Sequence, residues 1–81
     1  MSKLPMRDIL WNKIMLREFE ALACLSEEEK EVLHDWAYGK SIVYTAMRCH
    51  MGETKVKDIR KQLRQRYDDI QPYTPLLPKR T

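Results

Sequence analysis

Glycine is scarce in this chain, and its scarcity excludes a class of binding sites. Gly39 and Gly52 are the only glycines among 81 residues, so the sequence has no glycine-rich loop of the kind that holds nucleotide phosphates. No apolar run approaches the ~20 residues that a membrane-spanning helix needs, and no apolar stretch follows Lys3 as it would in a secretory signal. We therefore expect a cytoplasmic protein that does not contact the membrane.

Metal-ligating and nucleophilic side chains are also few. The chain holds two cysteines, Cys24 and Cys49, and two histidines, His34 and His50, without a C-x-x-C pair. Neighbouring residues on a helix point in different directions, so Cys49 and His50 do not form a nucleophile–base pair or a zinc site. We expect the two cysteines to be small buried residues in helices rather than a disulfide. The sequence thus predicts neither an enzyme nor a cofactor.

Positive charge is unevenly distributed along the chain. The formal net charge is +3, but residues 1–39 hold five basic and eight acidic side chains, whereas residues 40–66 hold eight basic and two acidic ones. Residues 67–81 are balanced. Such a concentration of positive charge steers a polyanion toward one part of a protein, although Lys and Arg are also ordinary on a solvated helix.

Apolar spacing predicts an all-α fold of four helices. The first two predicted helices cover about residues 6–23 and 27–38. The third begins at residue 41 and ends at a break at residues 50–52, and the fourth covers residues 53–67. All four belong to a single predicted domain of residues 1–70. Three of the four prolines lie in residues 71–81, which we expect to form an extended tail. Its apolar side chains either lie along the domain or bind a partner, unless the terminus is frayed.

The first predicted helix has an unusually wide apolar surface. One stripe contains Trp11, Ile14, Met15, Phe19 and Leu22, while Ile9 and Leu16 fall on another side. A surface of this width either wraps around the core or provides a homodimer contact.

Sequence signals at the ends of the second helix are specific. Ser26 and Glu29 have the spacing of a capping box, in which each side chain satisfies a backbone N–H near the other. Gly39 follows the helix, where a left-handed residue commonly ends it. The inward-facing residues of this helix are predicted to be Val32, Leu33, Trp36 and Ala37.

Residues 41–67 have the pattern of two helices joined by a tight turn. Ser41 is a predicted N-cap, and Ala46 with Val43 or Ile42 marks the inner face of the shorter helix. The break is His50-Met51-Gly52, with Met51 pinning the turn to the core. In the longer helix a single apolar stripe at helical spacing is formed by Val56, Ile59, Leu63 and Tyr67.

The stretch from Leu25 to Tyr67 resembles the helix-turn-helix domains of sigma-factor region 4 and of LuxR-type regulators. The opening Leu25-Ser26-Glu27-Glu28-Glu29 is similar to the "L-S-x-x-E" start of the helix that precedes the motif in those families. Ala46, the break four residues later and Val56 are similar to the spacing of the motif itself. His50 stands where many such turns have glycine, and histidine tolerates positive φ better than most residues.

The pattern and the resemblance imply a sequence-selective regulator, of bacterial or phage type, that places helix 53–67 in the major groove of double-stranded DNA. A dimer on two half-sites is expected, with residues 6–23 as a possible contact. The residues assigned to base edges or phosphates are Lys40, Ser41, Tyr44 and Arg48 before or on the shorter helix, and Thr54, Lys55, Lys57, Asp58, Lys61, Arg64 and Arg66 on the longer one.

Two alternatives involve protein partners. In the first, the chain is a sigma-like adaptor that docks on RNA polymerase while the helix-turn-helix reads DNA. In the second, it is a small phage-type inhibitor whose basic helical domain binds a protein or a ribonucleoprotein complex. The acidic first half, the apolar first helix and the tail supply the surfaces that either alternative would use.

Overall fold

The computed structural model describes residues 4–80, and over these residues the chain is helical without a β-strand. Four α-helices follow one another, α1 (Lys13–Ala23), α2 (Glu27–Ala37), α3 (Ile42–Arg48) and α4 (Glu53–Ile70). Short 3-10 turns lie at Met6–Asp8 and Gln71–Tyr73. The predicted all-α class and the four helices are confirmed. Residues 1–3 of the predicted domain and Thr81 of the predicted tail lie outside the described residues.

Helix α1 begins later than the apolar pattern predicts. A 3-10 turn at Met6–Asp8 is followed by extended backbone at Ile9, and Asn12 then caps the helix by accepting from the backbone N–H of Met15 at 2.9 Å. The predicted start near residue 6 is wrong because the Asn12 side chain satisfies an N–H that a longer helix would have bonded to its own backbone. Met6 and Ile9 are nonetheless buried.

The buried face of α1 lies between the two predicted faces. Met15, Leu16 and Phe19 are in the core, whereas Ile14 is 65% and Leu22 is 48% exposed. The predicted stripe is therefore wrong at Ile14 and Leu22. Both faces were apolar in the sequence, so the choice between them depended on which face α4 covers.

The signals around α2 and the turn into α3 are confirmed. Ser26 and Glu29 form both hydrogen bonds of the capping box, and Gly39 has a φ of 78° just after the helix. Val32 and Leu33 are buried, with Trp36 and Ala37 partly buried against the core. Ser41 caps α3 by accepting from the Tyr44 N–H at 3.0 Å.

The turn between α3 and α4 positions the longest helix over the core. His50 has a φ of 55°, which histidine tolerates better than most residues, and Met51 packs against the core. Of the two residues left open on α3, Ile42 is packed against the core and Val43 is exposed. The predicted stripe of α4, Val56, Ile59, Leu63 and Tyr67, is buried throughout.

An aromatic cluster joins α1 to the end of α4. The Tyr67 ring meets those of Trp11 and Phe19 edge-on, with centroids 5.7 and 5.6 Å away. The Trp11 indole N–H donates to the Met6 carbonyl at 3.0 Å, which holds the segment before α1 onto the core. Edge-to-face packing of buried rings adds stability beyond the area that it buries.

The tail packs against the domain. It opens with the turn Gln71–Tyr73, so the prediction of a wholly extended tail is wrong there; proline suits the first positions of such a turn. Leu77 is 1% exposed and belongs to the core cluster. Arg80 is also buried and forms an ion pair with Asp68 at 2.7 Å. The Tyr67 hydroxyl donates to the Pro78 carbonyl. These contacts exclude a frayed terminus up to Arg80.

Both cysteines are free thiols. The predicted burial of Cys24 is wrong, since this residue ends α1 in the left-handed region, at φ 51°, with its side chain exposed. Cys49 is half-buried at the end of α3, and burial raises the pKa of its thiol. Within residues 4–80, no helix combines the length and apolarity that crossing a membrane requires.

Candidate nucleic-acid interface

Five of the six basic side chains of α4 divide into two groups on opposite flanks of its buried stripe. We call Lys57, Lys61 and Arg64 the open row. Their spacing of four and three residues places them on one side of the helix. All three are exposed, and none forms an ion pair within the part of the chain that the structure describes. The open row therefore presents three positive side chains to solvent, although Asp58 and Asp68 line the same surface beside Lys61 and Arg64.

The opposite flank of α4 faces the acidic start of α2. Lys55 Nζ lies 3.1 Å from Glu28 Oε2, and Arg66 Nη1 lies 3.1 Å from Glu29 Oε2. Arg66 also donates to the Ala23 carbonyl at 3.4 Å. These contacts bring together α2 and both ends of α4. Their positive charge is largely balanced within the chain.

Arg48 on α3 is bound in the same way. Its Nε donates to Asp35 Oδ2 at 2.9 Å, and its Nη2 lies 2.7 Å from Glu31 Oε2. These two hydrogen bonds raise the pKa of Arg48 above its ordinary value, and the bond to Asp35 has the larger effect. Asp35 also accepts from the buried Thr45 hydroxyl at 3.0 Å. Together with Lys55 and Arg66, Arg48 makes a set of α2-paired cations, which link α3 and α4 to carboxylates of α2.

The remaining predicted contact residues lie on exposed surface. Thr54 and Asp58 are exposed on the first turns of α4. Lys40, Ser41 and Tyr44 are exposed at the start of α3, where the Lys40 ammonium sits 5.2 Å from the centroid of the Tyr44 ring. The Ser41 hydroxyl already accepts the capping bond of α3 but keeps its own proton to donate.

The sequence assignments omit one cation beside this surface. Arg60 lies between Lys57 and Arg64 along α4, with its guanidinium 5.0 Å from the centroid of the Trp36 ring. Its Nη2 donates to the Lys40 carbonyl at 2.9 Å. Desolvation lowers the pKa of Arg60. The spacing to its basic neighbours was visible in the sequence, but the pairing with Trp36 depends on how α2 packs against α4.

No family model, curated protein or solved structure matches this chain. Residues 4–80 also contain no group of three side chains arranged to hold a metal ion. The basis for a functional proposal is thus the arrangement of charge on α3 and α4.

Proposed function

We propose that this protein binds double-stranded DNA with α3 and α4 acting as a helix-turn-helix and α4 lying in the major groove. The observation that carries the proposal is the open row of Lys57, Lys61 and Arg64 on the exposed side of an 18-residue helix. At 1.5 Å per residue such a helix is about 27 Å long, and the major groove is wide enough to admit it.

The roles within this interface follow from position and chemistry. Thr54, Asp58 and Lys61 are the candidates for base edges, because Lys donates to guanine acceptors and Asp accepts from the cytosine amino group. Lys57 and Arg64 are suited to phosphates. Lys40, Ser41 and Tyr44 would meet the backbone beside the groove. Arg48, Lys55 and Arg66 are omitted from the proposal because carboxylates of α2 already balance them.

The test is binding to random duplex DNA over a salt series, followed by selection and sequencing of the bound pool. We expect affinity to fall steeply with salt, since each neutralised phosphate contributes about −0.9 to the slope of log K against log salt. An enriched motif would support a sequence-reading regulator, and a palindrome would support a dimer. Absence of binding at low salt would refute the proposal.

A second candidate, docking on a protein, is favoured by apolar surface on the tail and α1. Thr74 donates to Glu18 at 2.7 Å and brings the tail onto α1. Ile14 and Leu22 lie one turn to either side of Glu18 on α1, and Tyr73 is 87% exposed next to Thr74. This surface suits a homodimer contact, an RNA polymerase subunit or another protein. Ile14→Ser with Tyr73→Ser would weaken such a complex while leaving the open row intact.

A further inference from the structure

A cleft beside the open row combines three positive side chains with an indole. Arg7 comes from the turn before α1, Lys40 and Ser41 from the α2–α3 connection, Trp36 from α2 and Arg60 from α4. Arg7 and Arg60 are far from residues 36–42 in the sequence, so the cleft exists only in the folded chain. Arg7 and Lys40 are exposed at its rim.

The positive charge in the cleft is poorly balanced. Arg7 Nε lies 3.9 Å from Asp8, at the limit of an ion pair. The carboxylate that most favours a charged Arg60 is Asp35, which is already engaged by Arg48 and Thr45. The positive charge of Arg7 repels that of Arg60 and contributes to lowering the pKa of Arg60. An anion in the cleft would relieve this repulsion, since opposite charges within a few ångströms stabilise each other.

Arg60 is held in a fixed orientation. The Trp36 ring lies against its guanidinium, and the Lys40 carbonyl accepts from Nη2. Its Nε is buried and out of reach of a ligand, but Nη1 has no acceptor within residues 4–80, and Nη2 uses only one of its two protons on the Lys40 carbonyl. A planar guanidinium oriented in this way loses little freedom when it binds a phosphate, and its remaining donors match phosphate oxygens.

The cleft continues the surface proposed to bind DNA. Arg60 is three residues after Lys57 and four before Arg64, which makes it their neighbour on the helix. Lys40 and Ser41 belong to both surfaces. A nucleic-acid backbone that follows the open row would reach the cleft without crossing an acidic side chain of its lining.

We propose that Arg7, Lys40 and Arg60 bind one backbone phosphate of the DNA strand that leaves the open row. The inference rests on the proposed function and extends it to Arg7, which lies before α1, and to Arg60, a residue of α4 that the sequence assignments omit. Trp36 is a positioning residue, which orients Arg60 and lies close enough to report on the occupied cleft.

The two tryptophans allow a direct test. The indole N–H resonance of Trp36 is followed by NMR while the full chain is titrated with a duplex of about two helical turns (~20 base pairs), and separately with inorganic phosphate. Trp11 is the internal reference, because its indole N–H donates to the Met6 carbonyl in the core. We expect the duplex to shift the Trp36 resonance and leave that of Trp11 in place.

A double variant tests the charges without touching the core. Arg7→Gln with Lys40→Gln should abolish the Trp36 shift, weaken duplex binding about tenfold and reduce the salt slope by about 0.9, as for one phosphate. Lys13→Gln with Arg17→Gln, which removes two exposed cations of α1, is the matched control and should change none of these values by as much.

The outcomes separate this inference from the function on which it rests. Duplex binding with an unmoved Trp36 resonance would overturn the cleft site and leave the DNA proposal standing. A Trp36 shift with inorganic phosphate but not with the duplex would identify a site for a free anion and overturn the backbone assignment. No duplex binding at low salt would overturn both proposals.

Discussion

Residues 40–66 contain eight basic side chains. They differ in whether they lie close enough to α2 to pair with its carboxylates. The α2-paired cations Arg48, Lys55 and Arg66 meet carboxylates of α2 at 2.7–3.1 Å. The open row, Lys57, Lys61 and Arg64, has no such partner within residues 4–80. The same residue types thus pair with carboxylates of α2 in one set and face solvent in the other. A count of charges along the sequence overstates the surface available to a polyanion.

The largest expected effect comes from removing the open row. Lys57→Ala, Lys61→Ala and Arg64→Ala together should weaken duplex binding by at least about 100-fold at low salt, because two phosphate contacts and one base contact are lost. The salt slope should fall by about 1.8, the value for the two phosphates that Lys57 and Arg64 neutralise. Filter binding or fluorescence anisotropy over a salt series measures both quantities.

The comparison between the flanks supplies the control for that experiment. Lys55→Ala with Arg66→Ala removes positive charge from the same helix, but charge that α2 already balances. We expect a loss of affinity below about tenfold and a lower melting temperature. If this variant lost as much affinity as the open-row variant, the division into paired and open cations would be wrong.

The second effect concerns stability on the α2 side. Asp35→Ala removes the acceptor shared by Thr45 and Arg48. The buried Thr45 hydroxyl would lose its partner, which costs about 1–3 kcal/mol of unfolding free energy and lowers the melting temperature by roughly 4–8 °C per kcal/mol. Urea unfolding followed by circular dichroism measures the change. The exposed Asp58→Ala is the control and should stay within about 0.5 kcal/mol.

The third expected effect concerns Tyr67, which belongs to the buried stripe of α4 between its two flanks. Burial raises the pKa of Tyr67 to about 12 from its ordinary value near 10. The folded state therefore binds this proton more tightly than the unfolded state. The resulting stability is fully present below pH ~10 and is lost as the pH rises toward ~12.

Tyr67→Phe should flatten the decline in unfolding free energy between pH ~10 and ~12, whereas the exposed Tyr73→Phe should not. Urea unfolding at a series of alkaline pH values measures both variants. An unchanged slope in Tyr67→Phe would mean that the Tyr67 hydroxyl is not held in its protonated form by the fold.

The smallest expected effect comes from a substitution that frees Lys55, one of the α2-paired cations, from its carboxylate. Glu28→Gln releases Lys55 and removes a nearby negative charge. We expect duplex affinity to rise about threefold, because a freed cation adds modestly to polyanion binding, with almost no change in stability because the pair is exposed. Glu27→Gln is the control, since Glu27 pairs with Lys30 of its own helix. Equal affinities for wild type and Glu28→Gln would place Lys55 away from the DNA.

Local signals predicted much of the fold. The capping box of Ser26 and Glu29, the Ser41 cap, the left-handed His50 and the buried stripe of α4 all depend on residues a few positions apart. Such features are determined by backbone chemistry and helical periodicity, and the sequence contains both. The start of α1 was missed because one Asn side chain outcompeted an apolar pattern.

The exposed residues predicted to contact DNA can be named from helical spacing alone, but spacing does not say which of them another helix neutralises. By itself the sequence determined the all-α class, the starts of α2, α3 and α4 and the excess of positive charge in residues 40–66. The predicted end of α4 at Tyr67 is wrong, because the helix continues to Ile70. Only the tertiary structure decided that α2 balances Arg48, Lys55 and Arg66, and that Arg7 and Arg60 meet around Lys40. The reason is physical: periodicity acts over one or two turns, whereas ion pairs and clefts form between residues that only packing brings together.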